Sequence, residues 1–118
     1  MSRPVSIQLD GMSKTLRYNF NAIADVEERA KTGIGTLLSE ERIGFNSMRY
    51  LVWAGLKWED RGLTIERTGL MLQQYFKDGG TFELLSLIVM NALKASGVLQ
   101  MQEEETEEEK NVTTEVVN

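Results

Sequence analysis

The stretch that most constrains this chain is residues 45–60, FNSMRYLVWAGLKWED. At 100° per residue its apolar side chains cover one helical face and spill onto both flanks. The residues of that face are Phe45, Met48, Leu51, Val52, Gly55 and Leu56. A helix that is apolar over most of its circumference must lie inside a domain, with other elements around it. The sequence therefore predicts a central helix in a small helical domain.

Length and composition allow one domain with a modest core. The chain has 118 residues and contains neither cysteine nor histidine, which excludes disulfides, zinc sites of the usual type and imidazole catalysis. No stretch reaches the roughly 18 uninterrupted apolar residues of a membrane span. The first residues lack the apolar segment of a signal peptide. We therefore expect a cytoplasmic protein that does not contact a membrane.

The net charge of −5 is unevenly distributed along the chain. Residues 100–118 carry seven acidic side chains and one lysine, whereas the rest has 12 basic and 11 acidic side chains. Because the glutamates repel one another, residues 99–118 are predicted to be an acidic tail, disordered or a frayed helical extension. Residues 1–98 then form the folded domain. Without clustered lysine and arginine, it is not expected to bind nucleic acid.

Residues 4–18 predict a β-hairpin. Apolar and polar side chains alternate over residues 5–9, and Asp10-Gly11 fits a two-residue type I′ turn, which needs positive φ at both positions. The return strand is predicted over 12–18, and the predicted pairs on the apolar side are Leu9 with Met12, Ile7 with Lys14 and Val5 with Leu16. That side is either covered by the helices, or the hairpin offers an open edge to a partner strand.

Further helices are predicted around the central one. Asn21 is expected to cap the first, over 22–32, and Gly33 to end it in the left-handed conformation. The others are predicted over 34–42, 65–77 and 82–96, with Thr64 and Thr81 as caps of the last two. The predicted fold is mainly α, with four to five helices and an N-terminal hairpin. Its expected core comprises Ile23, Val26, Leu51, Val52, Trp53, Leu56, Leu72, Phe76, Leu85 and Val89.

Leu87 and Met90 lie on the polar side of the last predicted helix. They either meet the hairpin or belong to a contact surface. Together with Leu99 and Met101 they are the candidate partner-binding residues, since flexible methionine suits a weakly selective apolar surface. We expect Leu87→Asp with Met90→Asp to weaken partner binding while leaving the fold intact.

The sequence contains no constellation typical of catalysis. Asp25 and Glu28 are the nearest approach to paired carboxylates, but no apolar pocket residues surround them. Gly33-x-Gly35 lacks the lysine and hydroxyl of a phosphate loop. The glutamate run lacks the glycine turn of a specific calcium site. We therefore expect a non-catalytic protein that uses no metal or cofactor.

Several short segments follow one another in a set order. After the hairpin come FNAIADVE at 20–27, a glycine-ended turn, LVWAGLKWED at 51–60, LTIE at 63–66 and a last apolar helix. This order resembles the tail assembly chaperones of long-tailed phages and similar gene-transfer-agent proteins. The resemblance covers residues 4–96. It departs from the family at Lys57-Trp58, where a lysine-histidine pair is common.

The resemblance implies a non-catalytic protein of the host cytoplasm that is absent from the mature virion. Such a protein would bind the tape measure protein, keep it soluble and promote polymerisation of the tail tube protein around it; self-association is open to it. In this family a longer form often arises by ribosomal frameshifting. Glu109-Lys110-Asn111 can be encoded GAA AAA AAC, which contains a heptamer that supports such a slip. The alternatives are a generic helical adaptor and a minor tail-completion subunit that stays in the particle.

Overall fold

The computed structural model describes residues 5–39 and 43–99. In chain order the elements are β1 (Val5–Leu9), β2 (Met12–Leu16), α1 (Phe20–Ala30), α2 (Ile34–Ser39), α3 (Phe45–Leu56), α4 (Ile65–Lys77) and α5 (Phe82–Ser96). The prediction of a mainly α fold with an N-terminal hairpin is confirmed. Of the predicted tail, residues 100–118 lie outside the described residues. None of the described helices is long and apolar enough to cross a membrane.

The hairpin has the predicted register. The two strands are antiparallel, and the pairs are Val5 with Leu16, Ser6 with Thr15, Ile7 with Lys14, Gln8 with Ser13 and Leu9 with Met12. Asp10 and Gly11 have φ angles of 53° and 73°, which is the backbone of a type I′ turn. Local chemistry therefore determines this part of the fold, because a two-residue turn leaves only one pairing of the strands.

The hairpin is fixed to α3 at the point where β2 ends. The Arg17 amide donates a hydrogen bond to the Gly55 carbonyl at 2.9 Å. The Tyr18 hydroxyl donates to the Leu51 carbonyl at 2.6 Å. A Cβ on Gly55 would lie 2.9 Å from the Tyr18 ring, so the glycine permits this close approach. Because Tyr18 turns into the domain, β2 ends at Leu16 and not at Tyr18 as predicted.

α1 begins two residues earlier than predicted. The Asn19 side chain, and not that of Asn21, accepts a hydrogen bond from the Ala22 amide at 2.8 Å. Both asparagines have the chemistry of a cap. Asn19 takes the role because it still has extended backbone, with φ −122° and ψ −179°, and it directly follows the anchored Tyr18. Asn21 then falls inside the first helical turn.

α1 also ends earlier than predicted. Its last residue is Ala30, and Lys31, not Gly33, adopts the left-handed conformation, with φ of 61°. The Glu27 carboxylate accepts a hydrogen bond from the Ile34 amide at 2.6 Å. This bond holds the start of α2 beside α1, so the chain has to turn before it reaches Gly33.

α3 is the central helix, as predicted, and its second half is enclosed on all sides. Every residue from 51 to 56 is buried, and the helix contacts α1, α4, α5 and β2. It ends at Leu56 and not at Asp60, because the amides of Glu59 and Asp60 both bond to the Leu56 carbonyl and close a turn. The prediction that Phe45 lies on the buried face is wrong. Phe45 is 79% exposed, since the first turn of α3 extends beyond the core.

α4 and α5 have the predicted bounds. The Thr64 hydroxyl accepts a hydrogen bond from the Arg67 amide at 3.0 Å, and the Thr81 hydroxyl accepts one from the Leu84 amide at 3.1 Å. Each threonine therefore satisfies a free amide in the first helical turn. α5 ends before Gly97, which has a φ of 79°. α2 occupies Ile34–Ser39 of the predicted 34–42 segment, and residues 40–42 lie outside the described part of the chain.

One hydrophobic core joins the hairpin to all five helices. Nine of the ten predicted core residues are buried. The tenth, Phe76, is only partly buried and packs against the edge of the core. Its position explains this difference: Phe76 is the penultimate residue of α4, and its ring stacks on Phe82 with a centroid distance of 6.3 Å.

Candidate partner-binding surface

α5 carries more apolar side chains than it buries. Its inner face places Leu85, Val89 and Leu93 fully in the core. On the opposite side Leu84 and Leu87 are 49% and 57% exposed. Helical residues three positions apart are neighbours, so these two leucines form one apolar spot on the outside of the domain. Leu84 and Leu87 are called the leucine face below.

The four predicted partner-binding residues do not share one environment in the structure. Leu87 is exposed, which favours a free surface and not a contact with the hairpin. Met90 and Leu99 are partly buried against the core, and Met101 lies outside the described residues. A carboxylate at Met90 would reach the edge of the core. The substitution of Leu87 together with Met90 is therefore not a clean test of binding, and Leu84 is the better companion.

Polar side chains of both signs border the leucine face. Glu83 precedes it in the first turn of α5, and Asn91 and Lys94 follow it along the same side of the helix. All three are exposed. A small apolar spot inside a polar rim is the usual anatomy of a protein contact surface.

A second exposed apolar feature lies where α4 ends and α3 and α5 begin. The Phe82 ring stacks on Phe76 and meets Phe45 edge-on, with a centroid distance of 5.4 Å to the latter. These three rings are called the aromatic cluster. Helical periodicity assigned Phe45 to the core, because periodicity gives a direction around the helix but not the point along its axis where the core ends. The signal available in the sequence was Gly44, which places Phe45 in the first helical turn.

The turn between α4 and α5 holds the N-terminus of α5 in place. Gly80 lies against the Tyr75 ring, and a Cβ at this position would overlap that ring. Within the described residues the buried Tyr75 hydroxyl has no well-formed hydrogen bond. Burial raises the pKa of this hydroxyl, and the nearby Thr81 backbone opposes the shift. This tight packing fixes the direction in which α5, and with it the leucine face, leaves the turn.

The described residues offer no metal centre. They contain no group of three or more acidic, histidine or cysteine side chains that could hold an ion. Asp25, one of the two carboxylates considered for catalysis, pairs with Lys57 at 3.0 Å. A cavity of about 10 Å³ is lined by Lys14, Leu56, Glu59, Asp60, Leu63 and Met71. It has room for about one water, whereas small-molecule sites occupy roughly 300–1,000 Å³.

The surface of α5 is therefore the best candidate for function, and what it offers is apolar contact. Comparisons with protein-family models, curated proteins and solved structures found no match to this chain. The features that bear on function are therefore the order of the sequence segments and the exposed side chains described above.

Proposed function

We propose that this chain is a phage tail assembly chaperone. It binds the tape measure protein, keeps it soluble and promotes polymerisation of the tail tube protein around it. It acts in the host cytoplasm without catalysing a reaction and is absent from the mature virion. The order of its sequence segments, which resembles that family, supports this proposal. The observation that carries the binding site is the exposure of Leu84 and Leu87 on a helix whose other face is fully buried.

The size of the leucine face fits a weak, exchangeable contact. Fully burying a leucine side chain contributes about 1.5–3 kcal/mol. Because each of these leucines is already about half covered, a partner would gain on the order of 2 kcal/mol from both together. That is too little for a tight complex of two molecules. It suits a chaperone of which many copies bind along one long apolar partner and are later displaced by the tube protein.

Co-expression with the tape measure protein of the same genome tests the proposal. The expected result is that the tape measure protein becomes soluble and co-purifies with this chain. If the tape measure protein stays insoluble and unbound, the chaperone function is wrong for this chain.

The structure provides a matched pair of variants for the binding site. Leu87→Asp removes an exposed leucine of α5, and Leu70→Asp removes a leucine of α4 that is exposed to nearly the same extent, 54% against 57%. We expect Leu87→Asp, alone or with Leu84→Asp, to reduce co-purification, and Leu70→Asp to leave it unchanged. Equal losses from both helices would show that binding does not involve the leucine face specifically.

Mass spectrometry of purified particles separates the chaperone from a tail-completion subunit. A chaperone leaves the assembly, so peptides of this chain are expected in lysates but not in finished particles. Their presence in particles at a fixed ratio to the tube protein would favour the structural subunit instead.

A further inference from the structure

The two outer edges of the hairpin differ in their hydrogen bonding. In the observed register Thr15 points its backbone groups away from β1, and Arg17 directly follows the last residue of β2. The Thr15 carbonyl accepts a hydrogen bond from the Trp58 indole at 2.8 Å, and the Arg17 amide donates to the Gly55 carbonyl at 2.9 Å. Groups in and just after α3 therefore close part of the β2 edge.

The β1 edge is open by comparison. Here the outward-pointing backbone groups belong to Ser6 and Gln8. Each of these residues lies opposite its β2 partner in a non-hydrogen-bonded pair, so its N–H and C=O groups point away from β2. Among the described residues their N–H and C=O groups have no partner, and both residues are exposed. Between and beside them Ile7 and Leu9 are buried. The edge thus offers free backbone groups beside a strand that is apolar on one face and polar on the other, which is a template for another strand.

We propose that residues 112–117 of the same chain, VTTEVV, occupy this edge as a third strand. Five of these six residues are β-branched, the type that favours strands. In an extended chain Val112, Thr114 and Val116 share one face, and Thr113, Glu115 and Val117 share the other. The first set matches the core side of β1. The second set places Glu115 in water beside Ser6 and Gln8, whereas a slip of one residue would bury this charge.

The connection is long enough for this pairing within one chain. Twelve residues, 100–111, separate Leu99 from this segment in the sequence, and a chain of that length can span up to about 40 Å. α5 packs against β1, and its 15 residues correspond to a length of about 22 Å. The edge is therefore within reach. A tether of this length gives an effective concentration in about the millimolar range, which favours the segment of the same chain over one from a second copy.

Pairing of residues 112–117 with β1 is independent of the proposed chaperone function. The six glutamates of residues 103–109 precede the pairing segment in the sequence, so its pairing with β1 would bury none of them. Occupation of the edge by the chain itself also blocks edge-to-edge association between copies.

Residue-resolved amide hydrogen exchange of the full chain tests the pairing. The amides of Ser6 and Gln8 are expected to exchange at least about tenfold more slowly than unprotected amides. The Ile7 and Leu9 amides, which belong to the β1–β2 ladder, serve as the internal reference. Unprotected exchange at Ser6 and Gln8 alongside protected exchange at Ile7 and Leu9 would overturn the proposal.

Two full-length variants with equal added charge test whether residues 112–117 are the segment that pairs with the β1 edge. Val112→Asp with Val116→Asp places carboxylates on the predicted core side and should abolish the protection of Ser6 and Gln8. Thr113→Asp with Val117→Asp places them on the predicted water side and should leave that protection in place. Protection that survives the first variant would mean that a segment other than 112–117 covers the edge. Protection that weakens on dilution of the wild-type chain would mean that a second copy covers it. Either result would refute pairing of residues 112–117 with β1 of the same chain.

Discussion

α3 and α5 both carry more apolar side chains than one helical face needs, but they lie in different environments. α3 buries every residue from 51 to 56, whereas α5 buries one face and exposes Leu84 and Leu87. The hairpin and α1 lie against α3, while α5 lies at the periphery with neighbours on one side. An apolar surplus on a peripheral helix has no role in the fold. This difference is the physical reason to look for a binding surface on α5.

The sharpest test of this comparison is to truncate one leucine on each helix. Leu51 is completely buried in α3, so Leu51→Ala should lower the free energy of unfolding by about 2–5 kcal/mol. Leu87→Ala removes the same atoms from an exposed site of α5 and should change stability by no more than about 0.5 kcal/mol. Urea denaturation followed by tryptophan fluorescence measures both. Similar losses would mean that the two helices are equally buried in solution.

A smaller effect is expected where the hairpin approaches α3 most closely. The added Cβ of Gly55→Ala would lie 2.9 Å from the Tyr18 ring and 3.0 Å from a Leu16 methyl carbon. Relief of this overlap should cost about 1–3 kcal/mol of unfolding free energy. Gly62→Ala is the matched control, because its Cβ would meet no atom within 4 Å. A neutral Gly55→Ala would show that the hairpin does not sit on α3 as described.

The hydroxyl that joins the hairpin to α3 should make stability depend on pH. Burial raises the pKa of Tyr18 well above its ordinary value, whereas in the unfolded chain tyrosine ionises near pH 10. Up to about pH 10 both states keep the proton, so Tyr18 contributes no pH dependence there. Above about pH 10 only the unfolded state loses it, so stability should fall by up to about 1.4 kcal/mol per pH unit.

Tyr18→Phe separates this contribution from those of other groups. Tyr75 also has a raised pKa and adds to the loss with the same sign. The urea midpoint of the wild type should therefore fall more steeply between about pH 9 and about pH 11 than that of Tyr18→Phe. The variant itself should lose about 1 kcal/mol near neutral pH, because the hydrogen bond to Leu51 is absent. Parallel curves for the two proteins would mean that Tyr18 is accessible to water.

The parts of the fold that local chemistry determines could be predicted from the sequence. Asp10-Gly11 leaves one register for the hairpin, and Thr64 and Thr81 each stand alone as the cap of a helix. Where two candidates competed, tertiary contacts decided between them. Asn19 prevailed over Asn21 as the cap of α1 because Tyr18 anchors the chain just before it.

The candidate surface could be predicted only in part, for a related reason. Leu87 was identified because it breaks the polar side of α5. Leu84 was missed because it flanks the main apolar stripe, and only the peripheral position of α5 leaves it exposed. The pattern of apolar residues indicates how much of a helix is apolar. It does not indicate on how many sides the helix has neighbours. Nor does it indicate how far along the helix axis the neighbouring elements extend, which is why Phe45 was wrongly assigned to the core.

The smallest expected effect on stability belongs to the leucine face itself. Leu84→Asp with Leu87→Asp adds two carboxylates to an exposed side of α5, where neither side chain supports the core. The unfolding free energy should change by no more than about 0.5 kcal/mol per site. The carboxylate at position 84 also lies in the first turn of α5, where the helix dipole favours negative charge. Thermal unfolding followed by circular dichroism should therefore give nearly the wild-type midpoint. A large loss would mean that another part of the chain covers this face, and a loss of binding in the same variant could not then be assigned to a partner contact.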